Sequence, residues 1–206
     1  MNSKKYFDEV ARKWDEMQQS FFSEEVREKA FSIAGVKAGE IAADIGAGTG
    51  FVTEGLMQKG LEVIAVDQSE AMLDEMRKKF ADAKGVEYRT GEAEKLPIQD
   101  DSVDYAFANM YLHHVELPLD AIKEMARILK PGGRLVITDM DEHKFDFLIK
   151  EHHDRWMGFK REDVKKWFSE AGFKDIVIDC VGECCAQSGL KEEYAEVSIF
   201  VASGVK

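Results

Sequence analysis

The sequence has few prolines and few cysteines, three of each in 206 residues, and much less positive than negative charge. It also has no long apolar run. Each shortage excludes something. Without about 20 consecutive apolar residues no membrane-spanning helix is expected, and the start, Met1-Asn2-Ser3-Lys4-Lys5, has no apolar stretch behind it of the kind a secretory leader carries. A cytoplasmic, unexported protein without membrane insertion is the expectation. Against 40 acidic residues stand 28 Lys and Arg, a formal charge of -12 that disfavours a broad polyanion-binding face, so nucleic acid is not expected as a partner. No linker or low-complexity segment breaks the chain. Its length and 45% hydrophobic content suit one domain over residues 1–206 with a single sizeable core; the composition does not fix an oligomeric state.

The three cysteines, Cys180, Cys184 and Cys185, fall within six positions. In an unexported protein a structural disulfide is not expected. Three thiolates can hold a soft ion such as arsenite, or zinc with a fourth ligand from a histidine. The spacing C-x-x-x-C-C is no zinc knuckle, and packing as small hydrophobes beside the last strands is the competing role.

The most informative segment is Ala43-Asp44-Ile45-Gly46-Ala47-Gly48-Thr49-Gly50, which follows a short apolar stretch and precedes a helix-like segment from Phe51. A strand, a glycine turn and a helix in that order hold nucleotide-like cofactors, because glycines reverse the chain sharply and leave no Cβ in the ligand's way. The third glycine, Gly50, falls one residue early for the dinucleotide fingerprint. Asp44 would repel a pyrophosphate and attract a cationic ligand. A second strand, Leu61 to Val66, ends at Asp67, nineteen residues beyond Gly48. An acid at that strand tip is placed to accept hydrogen bonds from ribose hydroxyls. Capping the next helix is the competing role for Asp67, and Ser69 is the better cap.

Three further motifs follow in order: Gly91-Glu92-Ala93-Glu94-Lys95-Leu96-Pro97, then Asp101 to Asn109, then Arg127-Ile128-Leu129-Lys130-Pro131-Gly132-Gly133-Arg134-Leu135. Together with the glycine turn they resemble the class I S-adenosylmethionine-dependent methyltransferases, in particular the small-molecule branch that includes the ubiquinone and menaquinone C-methyltransferases. The resemblance covers roughly Phe7 to Asp139. It implies S-adenosyl-L-methionine as cofactor, S-adenosyl-L-homocysteine as product, and a small-molecule acceptor. On matching positions it implies that Asp44 and the backbone of Gly46, Ala47 and Gly48 hold the amino and methionyl end, that Asp67 takes the ribose, and that Gln68 and Met72 flank the adenine. Glu92 and Ala93 would meet the adenine edge, where the family more often has Asp then Ala. Asn109 would bring backbone near the sulfonium. DNA amino-methyltransferases carry Asn/Asp-Pro-Pro-aromatic at the end of strand 4, whereas this chain has Asn109-Met110-Tyr111-Leu112.

Periodicity places the rest. Helices are expected over Lys4 to about Gln19 and Ser23 to about Ala34. Strands and helices then alternate: strand 41–45, helix 51–59, strand 61–67, helix 69–80, strands 86–90 and 102–109, helix 119–129 and strand 134–139. After an insert come a helix from about Arg161 to Ala171, a strand Ile176-Val177-Ile178 and a strand around Glu196 to Ala202. This rhythm predicts an α/β, Rossmann-like, doubly wound and mostly parallel seven-stranded sheet with helices on both faces. The family's Phe-Asp-x-x-Ala-x-x-aromatic-Asp pattern matches Phe7 to Asp15 and implies that residues 1–36 form an N-terminal helical lid; aromatic core packing is the alternative for Trp14.

Methyl transfer needs alignment and exclusion of water more than proton chemistry. His113 and His114, at the sheet's carboxyl edge, are the candidate catalytic bases, with one of them free to be structural. The insert over residues 140–160, rich in histidine and aromatics, is expected to shape the acceptor pocket or to form an amphipathic cap. Two other functions stay open: a thiol or metalloid methyltransferase using the Cys180, Cys184 and Cys185 cluster, and a non-catalytic S-adenosylmethionine-binding sensor.

Overall fold

Seven strands, β1 (Ile41–Ile45), β2 (Glu62–Asp67), β3 (Val86–Thr90), β4 (Val103–Asn109), β5 (Leu129–Met140), β6 (Lys174–Ser188) and β7 (Tyr194–Val205), form one sheet in the computed structural model. The structure describes residues 3–19, 21–188 and 194–206. The order is β3-β2-β1-β4-β5-β7-β6. The first five strands pair in parallel and β7 runs antiparallel to both its neighbours. From β1 the chain winds outward through β2 to β3, then returns to β4 on the other side of β1 and winds outward again. The connections leaving β1 and β4 therefore diverge, and a crevice opens at their carboxyl ends, beside Ile45 and Asn109. That switch point is where open α/β sheets bind ligands.

The helices are α1 (Ser3–Val10), α2 (Trp14–Gln19), α3 (Glu24–Ala34), α4 (Phe51–Gln58), α5 (Glu70–Lys79), α6 (Pro118–Ile128), α7 (Asp146–Glu151) and α8 (Arg161–Glu170). Local chemistry sets their ends. The Ser23 hydroxyl accepts the Glu25 N–H at 3.0 Å to start α3, and Gly35, in the left-handed conformation, stops it. Ser69 caps α5 by accepting the Met72 N–H at 3.2 Å, as its position in the sequence predicts. Pro118 opens α6, where its missing N–H costs nothing.

Both faces of the sheet are covered, which is why the central strands are apolar throughout and not alternating. On one face α6 and α8 pack Ile122, Met125, Val164 and Phe168 onto β1, β4 and β5. On the other, α3 and α4 bring Phe31, Val52 and Leu56 against β1, β2 and Phe107 of β4. Phe31 and Phe107 meet edge to face, centroids 5.4 Å apart at 89°.

The structure corrects three expected elements, one helix and two strands. The helix over Lys4 to Gln19 is broken by a 3₁₀ turn at Ala11–Lys13. This break separates α1 from α2, and Ala11 is buried there while the rings of Phe7 and Trp14 meet at 5.2 Å. The last two strands are much longer than expected, because β6 and β7 extend beyond the apolar stretches as an antiparallel pair with a register shift between Cys180 and Cys184. Ladder hydrogen bonding carries the strand through residues 179–188, whose composition gives no alternation signal. Among the described residues no helix is long and apolar enough to cross a membrane.

Truncation of Phe31 removes a fully buried ring from the joint between α3 and the sheet. We predict that Phe31→Ala lowers stability by about 3–5 kcal/mol in urea denaturation, while an exposed change such as Leu117→Ala stays within about 0.5 kcal/mol.

Candidate functional site

The glycine turn begins where β1 ends. Gly46, Gly48 and Gly50 have φ of 70°, 55° and 96°, a region that side-chain-bearing residues rarely adopt. The N–H groups of Gly46 and Ala47 both donate to the Val66 carbonyl, at 2.9 and 3.0 Å, which pins the turn against the end of β2. The Gly48 N–H donates to Asp67 Oδ2 at 2.8 Å, and Asp67 Oδ1 accepts from the Ser69 N–H at the same distance. Behind the turn, Asp44 Oδ2 accepts the backbone N–H and the hydroxyl of Thr53, at 2.9 and 2.6 Å. Asp44 thus lies beneath the first turn of α4, where the helix dipole favours negative charge.

Both acids are buried, and burial is the chief reason their proton affinities rise. Asp44 is lifted to about 7, with the Thr53 bonds opposing the rise and Asp67 adding to it. Asp67 is lifted to about 6, opposed by the N–H groups of Ser69 and Gly48 and assisted by Asp8. Two acids held out of water beside one cleft form a site of negative potential that a cation relieves.

That cleft is lined by Asp44, Gly46, Ala47, Gly48, Asp67, Gln68, Met72 and Asn109, all of them singled out in the sequence. Its other wall comes from the N-terminal helices and from the turn after β4. Phe7, Trp14, Gln18 and Phe22 cover it, and a Cβ placed on Gly48 would lie 3.4 Å from the Trp14 indole nitrogen. Acids next to two of these aromatics tie the cover down: Asp8 accepts the Ser69 hydroxyl at 2.6 Å, and Asp15 accepts the Thr49 hydroxyl. The Phe-Asp and Trp-Asp pairs of the sequence pattern therefore divide the work, with the ring facing the cleft and the acid anchoring the helix.

Other residues fall differently. The chain turns at Met110 (φ 49°), and the Tyr111 ring packs so closely on Gly46 that a Cβ there would lie 2.2 Å from it. Its hydroxyl is hydrogen-bonded by the Ala93 backbone. Tyr111 thus fills the ground between the glycine turn and Ala93, next to the expected adenine edge. Glu92 lines a neighbouring, more open cavity with Gln68, Glu94 and Tyr111, and Ala93 is buried in the core. The Asn109 side chain accepts the Thr138 hydroxyl at 2.7 Å, which holds β4 to β5 at the crevice.

His113 is buried and His114 partly buried, with ring centroids 4.1 Å apart. His113 Nδ1 lies 2.7 Å from Asp139 Oδ1, and its Nε2 lies 3.8 Å from Asp154 Oδ1. Burial alone pushes His113 down, but Asp139 and then Asp154 outweigh it and lift the imidazole to about 9. His114 is held well below 6.5 by burial first and by His113 second. A second cleft, of about 370 Å³, reaches this group and is lined also by Tyr6, Phe7, Trp14, Phe21, His152 and Cys185. From the insert, His152 and Asp154 border this cleft, whereas Phe147 and Phe159 are core residues. Asp154 carries no motif of its own in the sequence; its only signal is its place directly after His152-His153.

The cysteines are not drawn into one site. Cys184 and Cys185 are neighbours in a strand and so point to opposite faces, the first exposed and the second buried, and Cys180 is exposed. Among the described residues the gathered metal-type donors are His113, His114 and Asp154, not these sulfurs.

Comparison with known proteins agrees with this geometry. Residues 43–137 match the family described as a methyltransferase domain. The chain is 30% identical over 192 residues to 2-methyl-6-phytyl-1,4-hydroquinone methyltransferase 2, chloroplastic, of Oryza sativa subsp. japonica, covering 85% of this chain and 55% of that protein. It is 37% identical over 120 residues to the demethylmenaquinone methyltransferase of Clavibacter sepedonicus, covering 58% of this chain and 49% of that one. The chain spans about half the length of these curated relatives. A solved SAM-dependent methyltransferase from Aquifex aeolicus superposes with a TM-score of 0.69 at 23% identity, over 96% of this chain and 97% of that one. The fold is Rossmann-like, and within it residues 43–137 match a methyltransferase domain. The chain resembles the S-adenosylmethionine-dependent methyltransferases, the quinone C-methyltransferases among them.

The two buried acids predict how ligand binding depends on pH. Their folded-state values lie above the 3.8 of an ordinary Asp, so ionising them costs the folded protein stability, progressively between about pH 4 and 7. A cation in the cleft favours their charged forms. Binding of S-adenosylmethionine should therefore strengthen from about pH 5 to 7.5 and release protons near pH 6. Calorimetry in two buffers of different ionisation enthalpy measures this, and proton uptake would contradict it.

Proposed function

We propose that this chain transfers the methyl group of S-adenosylmethionine to a small-molecule acceptor seated in the cleft beside His113 and His114. The observation that carries the reading is the pair of buried acids, Asp44 and Asp67, flanking a turn at Gly46, Ala47 and Gly48 that itself carries no side chain larger than a methyl group. The residues fit the cofactor. Asp67 is positioned for ribose hydroxyls, Asp44 offers charge to the ammonium end, Gly46 and Gly48 let the ligand lie on main chain, and Met72 and Gln68 supply a wall for the base. When bound, S-adenosylmethionine supplies an already activated methyl group, so the protein's contribution is alignment and the exclusion of water. Phe7, Trp14 and Phe22 do the excluding. His114 borders both clefts and so stands where donor and acceptor meet.

A small acceptor is favoured because the second cleft is narrow and walled by aromatic rings and because a net charge of -12 repels nucleic acid. The cytoplasm is the proposed setting, in keeping with a sequence that has only three cysteines in 206 residues.

Two variants and one assay test the proposal. Asp67→Ala removes a charge-assisted contact and should weaken S-adenosylhomocysteine binding by about 1–3 kcal/mol. Gly48→Val puts a branched side chain against Trp14 at a left-handed backbone position and should abolish binding in a protein that still folds. With labelled S-adenosylmethionine and a panel of hydroquinones, phenols, thiols and amines, label should reach at least one acceptor. Tight cofactor binding with no transfer to any of them would instead mark a sensor.

A further inference from the structure

The group at the seam of the two clefts is unusual for a buried site, because its polar atoms face one another without bonding. Asp154 Oδ1 lies 3.8 Å from His113 Nε2 and 3.9 Å from His114 Nδ1, too far for hydrogen bonds. Among the described residues His114 Nδ1 and Asp154 Oδ2 have no hydrogen-bond partner, although both are buried. Leaving such atoms unsatisfied is costly, and the cost disappears if something sits between them.

We propose that His113, His114 and Asp154 bind a divalent first-row transition ion, with zinc as the representative probe, and that its open coordination position faces the aromatic cleft. One donor atom from each residue lies within 4.8 Å of the others. Metal–ligand bonds of about 2.0–2.2 Å require the three to draw in by roughly half an ångström to an ångström, a side-chain adjustment. Two imidazoles and one carboxylate are the donor set of a catalytic centre that keeps a position open. The surroundings are also those of a metal site. Asp139 grips His113 Nδ1 at 2.7 Å, which directs Nε2 toward Asp154 in the carboxylate–histidine–metal arrangement. A backbone hydrogen bond at His153 engages His114, and Nδ1 is the nitrogen left without a partner.

Because the site borders the second cleft, the open position suits a protic acceptor, a phenol or a thiol, held as its anion with the proton released to solvent. That last step rests on the proposed function, whereas metal binding does not. The alternative filling is an ordered water bridging the three groups.

Protein stripped with a chelator is titrated with Zn²⁺ by calorimetry and with Co²⁺ by absorption, and S-adenosylhomocysteine binding is measured on every variant as an independent check of fold. One ion per chain is expected, with a Co²⁺ spectrum that lacks thiolate charge-transfer bands. His114→Ala and Asp154→Ala should each weaken Zn²⁺ binding by at least about 10- to 100-fold, with Asp154→Ala, at a residue that does not line the cofactor cleft, keeping S-adenosylhomocysteine, and the Cys180→Ser/Cys184→Ser/Cys185→Ser protein should bind Zn²⁺ normally. If either ligand variant fails to fold, the wild-type Co²⁺ spectrum decides, since nitrogen and oxygen ligation excludes the cysteines. Absence of stoichiometric binding, equal binding by both ligand variants, or loss confined to the cysteine variant would overturn the assignment. A protein that binds Zn²⁺ but not S-adenosylhomocysteine would refute the methyltransferase reading and leave the metal site standing.

Discussion

The carboxylate of Asp67 is the constraint on which the cofactor side of this molecule depends. It accepts the Gly48 N–H on one oxygen and the Ser69 N–H on the other, and so joins the glycine turn after β1 to the cap of α5 after β2. Removing it from water is costly, as its raised proton affinity records. The N–H groups of Ser69, Gly48 and Gln68 offset only part of that cost. The remainder is what makes the strand tips receptive to a cation and to hydroxyl donors. The same logic explains the glycines, since a backbone N–H can reach Asp67 from Gly48 only through a left-handed turn that a Cβ would strain.

The cover over this crevice is built from weak parts. Asp8 holds Ser69, Asp15 holds Thr49, and Phe7 stacks edge-on to Trp14 and to His114. Hydrogen bonds of this kind contribute about 0.5–1.5 kcal/mol each, and aromatic pairs a similar amount. The N-terminal helices are therefore held by a few kcal/mol, against about 5–15 kcal/mol for a whole domain. Such a segment opens locally far more readily than the sheet beneath it, and both anchors reach residues that flank the cofactor crevice.

Much of this was legible in the sequence where one physical signal dominated. β1 and β3 lie over residues 41–45 and 86–90 as periodicity places them: β1 is a short, mostly apolar run buried in the middle of the sheet, and β3, at the sheet's edge, alternates apolar and polar residues. The cleft residues from Asp44 to Asn109 are gathered because strand tips and glycines have positional meaning. Legibility failed where tertiary contacts override local pattern. The break at Ala11–Lys13 is invisible in a continuous amphipathic stripe. The full length of β6 and β7 depends on pairing between segments whose composition says nothing. Thr53, which locks Asp44, looks like any residue of an amphipathic helix, and Tyr111 reveals its contact with Gly46 only in three dimensions. Asp154 was hidden for the same reason: a carboxylate in a charged insert is ordinary until the fold buries it beside two imidazoles.

The central claim is that a methylsulfonium donor lies on bare main chain at the β1 crossover, with its ribose on Asp67. A crystal structure with S-adenosylhomocysteine tests this most directly. The account predicts both ribose hydroxyls at the Asp67 carboxylate, the methionyl end over Gly46 to Gly48 near Asp44, and Trp14 and Phe7 closed above. Density for the ligand elsewhere, with Asp67 still bonded only to backbone N–H groups, would contradict it.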